Sequence, residues 1–288
     1  MIPGSFLNVD SRRSLCAVVA GVFVLGAGTL AWAQGFMRGG QVYVPPNATT
    51  AREVESRSTG TPMWEYPKGF DPDVFTVARL RYDRGGRFPM TRGGGWTTDL
   101  PDADLNLSYR LQQMTSLSVS PHGRLIRASD PELTKYPFLL VTAPHAMTLS
   151  EDEVLALRNY LENGGFILTT DSWGDQQWRA IEMSFREILP DRPFEELPIE
   201  HPLYRSVFNV TEKAQVPNIR MGLKQPGTTI QHRVIFDAKG RIMAMVLHNS
   251  DDSDGWEREG EDGEYFRLYS EKIAYPLAIN IVFYVLTH

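Results

Sequence analysis

Cysteine is almost missing from this 288-residue chain, and the only one is Cys16. It lies early in an uncharged apolar run, residues 15–30, that follows Arg12 and Arg13 and leads into Ala31, Trp32 and Ala33. A basic start, an apolar middle and a small-x-small end are the parts of an export signal. Residues 1–33 are therefore expected to be a signal peptide, with a mature start at Gln34. An uncleaved N-terminal anchor, tethering the chain to a membrane, is the alternative, since the run is at the short end for crossing a bilayer. Residues 11–15 also partly fit a twin-arginine signal, which leaves the export route open. Either way the globular part is expected outside the cytoplasm, periplasmic or extracellular. Once Cys16 is gone no thiol remains, which excludes disulfides, thiolate metal sites and cysteine nucleophiles.

Positive charge is also in short supply: 29 Lys and Arg face 35 Asp and Glu, for a formal net charge of −6. A polyanion is a poor match for that balance, so no nucleic-acid partner is expected. There is no internal repeat and no dinucleotide or phosphate-loop fingerprint. Residues 84–96 are rich in glycine and arginine, but their spacing fits neither, so they read as a mobile lid and no cofactor is expected. A second membrane span is absent too, because the apolar residues 275–286 are few and interrupted by Asn280, the pattern of a core helix. Residues 34–70, rich in Gly, Pro, Thr and Ser without sustained periodicity, read as a linker or loosely docked arm. The folded domain is then residues 71–288, long enough to build its own core.

What the sequence does contain is a strand–helix–strand signal. Residues 138–142 and 166–170 are nearly unbroken apolar or β-branched runs, as expected of parallel strands covered on both faces. Between them Ser150 and Glu153 form a capping box, Val154, Leu157 and Leu161 share a helical face, and Gly164 and Gly165 close the helix. A second amphipathic helix is expected over residues 175–189, with Trp178, Ile181, Phe185 and Ile188 on its buried face. Strands are expected at 74–82 and 125–128, a helix at 104–115, and an antiparallel hairpin at 234–247 turning at 237–240.

These features resemble an uncharacterised bacterial family, domain-of-unknown-function family 4159. The residues that carry the resemblance are 75–82 with the glycine-rich loop after them, 131–138, the turn at 163–166, 171–174, 201–204 and 251–257. The resemblance implies a flavodoxin-like α/β fold: a mostly parallel sheet with helices on both faces, an added antiparallel hairpin, and a likeness to class I glutamine amidotransferases. It implies no activity. Those amidotransferases carry a cysteine on the turn after a central strand. Here that turn reads Thr170, Asp171, Ser172, Trp173, Gly174, so thioester chemistry is excluded.

In open parallel sheets ligands bind beyond the carboxyl ends of the strands. That rule points to Asp83, His145 and Asp171, each just after a strand, and His201 and Trp256 join them as ligand-contacting candidates. The expected ligand is a small polar molecule or an envelope protein. A serine-type or metal-assisted hydrolase is the alternative, with Ser172 attacking and His145 accepting its proton; a purely structural module is the third reading. Against these stands a bland role for Asp171 and Ser172 as caps of the next helix. Residues 248–257 form an acidic stretch that reads as a solvated turn, or as the wall of a pocket. With Gly255 at the sixth loop position, Asp252, Asp254 and Glu261 fall where a calcium loop has ligands, although no helical pair frames it and no metal is expected.

Overall fold

Alternating burial on two faces of one sheet organises the chain. A computed structural model describes residues 42–58, 60–66, 73–85, 95–219 and 229–288. The expected signal at 1–33, the mature start at Gln34 and most of the glycine–arginine loop lie outside the described residues. The strands are β1 (Ala78–Arg81), β2 (Asp83–Arg84), β3 (Arg124–Arg127), β4 (Phe138–Thr142), β5 (Met147–Thr148), β6 (Phe166–Ser172), β7 (Glu195–Glu196), β8 (Gln231–Phe236) and β9 (Ile242–His248). The helices used below are α1 (Asp102–Met114), α2 (Glu151–Glu162), α3 (Gly174–Ile188), α4 (Asp252–Glu257) and α5 (Tyr275–Thr287).

Seven strands form one sheet in the order β3-β1-β4-β6-β9-β8-β7, and β2 pairs with β5 in a separate small antiparallel sheet. The five strands from β3 to β9 run parallel, while β8 and β7 are added antiparallel. The chain is thus α/β, as expected, with β4 and β6 as neighbouring interior strands in the register Leu139↔Ile167 and Leu140↔Leu168. Leu140 and Leu168 pack with Leu107 and Leu111 of α1 and Ile279 and Ile281 of α5. Leu139 and Ile167 pack on the other face with Leu157 and Leu161 of α2 and Ile181 and Phe185 of α3. Burial on both faces explains why these strands read as unbroken apolar runs rather than alternating ones.

The capping box forms as the sequence predicts, with Ser150 Oγ accepting from the Glu153 amide and Glu153 Oε2 accepting from the Ser150 amide. At the far end of α2, Gly164 takes φ 106°, and a Cβ on Gly165 would lie 2.4 Å from the Tyr160 ring. Only glycine fits both places. Inside α5, the polar Asn280 is fully buried and satisfied: its Oδ1 accepts the amides of Val207 and Phe208, and its Nδ2 donates to the Phe208 carbonyl.

The N-terminal arm is anchored more closely than its composition predicts. Ala48, Ala51 and Val54 are buried against Leu100, Leu105 and Leu125. Arg52 donates to the carbonyls of Thr61 and Pro121, while Asp102 accepts from Ser56 Oγ and the Arg57 amide. Val42–His288 form one compact unit. Single small apolar residues and one arginine do the anchoring, and neither leaves a periodic signal.

Candidate binding site

Four non-glycine residues among those described have left-handed backbone: Asp99 at φ 61°, Ala143 at 46°, Asp171 at 58° and Asn249 at 63°. All lie at the carboxyl edge of the parallel strands. Ala143 follows β4, Asp171 falls in the irregular end of β6, Asn249 follows β9, and Asp99 precedes α1 in the loop system after β1. A side chain in this region costs about 1–2 kcal/mol, so the surrounding bonds must hold it. Asn249 donates its amide to Ser172 O, accepts the Gly174 amide on Oδ1 and donates Nδ2 to Thr229 O. Tyr82 Oη donates to the carbonyls of Thr142 and Ala143.

Arg79 on β1 fixes the Asp99 loop. Its buried guanidinium grips both oxygens of Asp104 in α1, at 2.9 and 2.5 Å, and its Nη1 reaches the carbonyls of Trp96 and Thr98 and Thr142 Oγ1 at the end of β4. The loop after the first strand is thereby tied to the end of its neighbour.

Against this edge stands a concentration of buried acid. Asp251 caps α4, accepting on Oδ1 from the Asp254 amide and Ser253 Oγ and on Oδ2 from Asn218. Asp252 accepts from Ser250 Oγ on one oxygen only. Carboxylate oxygens of Asp99, Asp254 and Glu257 lie within 4.8 Å of one another. Arg258 is the cation beside them, reaching Asp254 at 3.2 Å and Glu257 at 2.6 Å.

Burial disfavours the charged form of each acid, and crowding adds to it. Burial, then Asp254 and Asp171, push Asp99 up to about 7. Burial, against a hydrogen bond from Trp173 and with a push from Asp254, raises Asp171 to about 6. Burial takes Asp252 to about 7, and burial with Asp99 takes Glu257 to about 10. Asp251 is raised by burial, Asp171, Asp254 and Asp99 together. Asp171 and Asp99 therefore belong electrostatically to the α4 acids, although the three segments are far apart in sequence.

A family model described as "Domain of unknown function (DUF4159)" matches residues 76–286. The chain belongs to this family. No curated protein matches it.

Within the DUF4159 domain the expected site residues divide. Asp171 stands in the acid cluster. It does not cap α3: the N-cap is Trp173, whose amide donates to Gln177, while the Gly174 amide goes to Asn249. His145 is buried at the same edge in the turn after β4, and burial lowers its pKa to about 4. Asp83 also follows β1, but it is exposed and paired with Arg127 at 2.8 Å.

Ser172 Oγ is buried and meets no hydrogen-bond partner, so no Ser172–His145 pair forms. His201 lies elsewhere. It caps a short helix, accepting the Leu203 amide, and packs on Phe236, whose partner Ile242 begins β9. That is the amino edge, opposite the acids. Trp256 is fully buried in the core and presents no stacking face.

The acidic stretch is a correction to the expected solvated turn. Asp252, Asp254 and Glu257 are buried because α4 inserts against α1 and β6, with Thr170 Oγ1 receiving the Asp252 amide. The calcium-loop set is not brought together as such: Asp254 joins Asp99 and Glu257, while Glu261 pairs with Arg258. Asp99, Asn249 and Arg258 have no sequence signal of a site. Asn249 reaches Gly174 across 75 residues and Asp99 meets Asp254 and Glu257 from a distant segment, whereas Arg258 pairs with its sequence neighbours Asp254, Glu257 and Glu261.

Proposed function

We propose that this DUF4159 domain binds a small polar ligand carrying a cationic group at the carboxyl edge of its parallel sheet, with Asp171 and Asp99 facing the ligand. The single observation that carries the reading is the convergence there of left-handed strand ends, Asp171 among them, with the carboxylate oxygens of Asp99, Asp254 and Glu257 within 4.8 Å of one another. Strain and perturbed acids together are the common physical signature of a functional site. The strand order supports a flavodoxin-like fold: β3-β1-β4-β6-β9 is the second, first, third, fourth and fifth of the five parallel strands, and such sheets hold ligands at the switch between the first and third. Here those are β1 and β4, the pair that Arg79 ties together.

Hydrolysis by Ser172 and His145 lacks comparable support, because neither Ser172 Oγ nor His145 Nδ1 has a partner. An unassisted hydroxyl is a weak nucleophile.

The test is a thermal-shift screen of cationic metabolite-like compounds on wild type and Asp171→Asn. The reading expects compounds that stabilise wild type and lose most of that effect in the variant. Equal shifts in both proteins contradict it.

The same proposal keeps the domain outside the cytoplasm, on the Arg12–Arg13, apolar and Ala31–Ala33 pattern. Among the described residues no helix is long and apolar enough to cross a membrane. N-terminal mass analysis of exported material should find Gln34 first; a full-length chain in washed membranes favours an anchor.

A further inference from the structure

The geometry points to a hard divalent-cation site formed by Asp99, Asp254 and Glu257, an inference that rests on the reading of this edge as a binding site and gives it a specific occupant. Three carboxylates from two distant segments bring ligand atoms within 4.8 Å of one another. That spread suits oxygens placed around one ion at calcium distances of about 2.3–2.6 Å, or around a smaller ion that keeps some of its waters.

Proximity alone would not make a site, and a second observation separates this cluster from an ordinary acidic patch. Asp99 Oδ2 is out of solvent and has no hydrogen-bond donor. A buried carboxylate oxygen without a donor or counter-ion carries an uncompensated desolvation cost. Glu257 Oε2 is likewise buried without a hydrogen-bond donor, although Arg258 Nη2 lies 2.6 Å from it, while Asp254 Oδ2 accepts the Ile219 amide and Asp254 Oδ1 faces Arg258. The one guanidinium beside the cluster, Arg258, is divided among Asp254, Glu257 and Glu261, and among the described residues no ion pair reaches Asp99. Each carboxylate oxygen has lone pairs beyond those used by its present donors.

The donor set is all oxygen, with no histidine or cysteine among the three residues. Such a set selects calcium, magnesium or manganese over softer metals. An ion at this point lies on the same edge as Asp171, whose charge already acts on Asp99, so the ion takes up Asp99 and leaves Asp171 to face the cationic group of the ligand.

The experiment uses the full chain, stripped with chelator and dialysed separately against calcium, magnesium and manganese, with bound metal counted by elemental mass spectrometry. The expected result is one ion per chain for at least one of the three and a higher melting temperature on adding it. Asp99→Asn and Glu257→Gln should each weaken binding by about tenfold or more, whereas Asp83→Asn, on an exposed acid of the same edge, should bind as wild type. Circular dichroism reports whether each variant is folded, and the wild-type count stands without them. No stoichiometric ion with any of the three metals overturns the site, as does unchanged binding in both folded variants. If compounds still stabilise wild type but not Asp171→Asn while no ion binds, the cation site falls and the reading of the edge as a binding site survives.

Discussion

Asp171 and Asn249 end the neighbouring strands β6 and β9 in the same left-handed backbone, at φ 58° and 63°, and the Asn249 amide locks onto the Ser172 carbonyl between them. Two adjacent strand ends are thus bent by residues that are not glycine, at a cost that glycine would avoid. Asp171→Gly should therefore be as stable as wild type or more so by about 0.5–1 kcal/mol, and Asp171→Ala should be less stable than the glycine variant by about 1 kcal/mol. Urea unfolding measures both. Equal stability of the alanine and glycine variants would show that the backbone is not strained.

Arg79 links β1, α1, β4 and the Asp99 loop through one buried guanidinium. Arg79→Met strands the Asp104 carboxylate, also buried, and should cost about 3–5 kcal/mol. The double variant Arg79→Met, Asp104→Leu removes both charges and should recover part of that loss. Recovery of none, in the same denaturation assay, would mean that the bonds to Trp96 and Thr98 matter more than the ion pair.

Leu168 sits at the centre of β6 with no exposure. Leu168→Asp buries an unpaired carboxylate, costing several kcal/mol, a large part of a domain's net stability. The variant should fail to fold or melt far below the parent; a shift of only a degree or two would contradict the buried-strand assignment.

His145 is held neutral by burial, with its pKa lowered to about 4. An unfolded histidine takes up its proton near pH 6.5, so as pH falls from 6.5 toward 4 the unfolded state binds more protons and wild type loses stability. His145→Gln lacks that loss. The stability of the variant relative to wild type should rise as pH falls from 7 to 5, by at most about 1.4 kcal/mol per pH unit. A difference that does not change with pH would place the imidazole in solvent.

Much of the sheet could be read from the sequence because two-sided burial writes itself into residues 138–142 and 166–170 as continuous apolar runs, and because Ser150, Glu153 and Gly164 mark their helix by local rules. The site was legible only in part. Asp171 follows a strand, and the rule about carboxyl edges finds it. His201 follows no parallel strand, and its helix cap serves the amino edge. Trp256 and the acids of α4 look like a surface turn by composition, but their burial and the packing of Gly255 against Ala274, where a Cβ would lie 2.8 Å away, show how deeply that turn inserts. Asp99 becomes part of the site through a fold-wide contact that no local pattern encodes.

Hydrogen–deuterium exchange on the full chain, with and without the compound that stabilises wild type most, locates the ligand directly. Binding at the carboxyl edge predicts slowed exchange in peptides covering 95–100, 143–148, 171–177 and 249–258, with little change elsewhere. Protection confined to the small groove formed by Glu182, Phe185, Arg186 and residues 190–194, or to the amino edge around His201, would contradict the account.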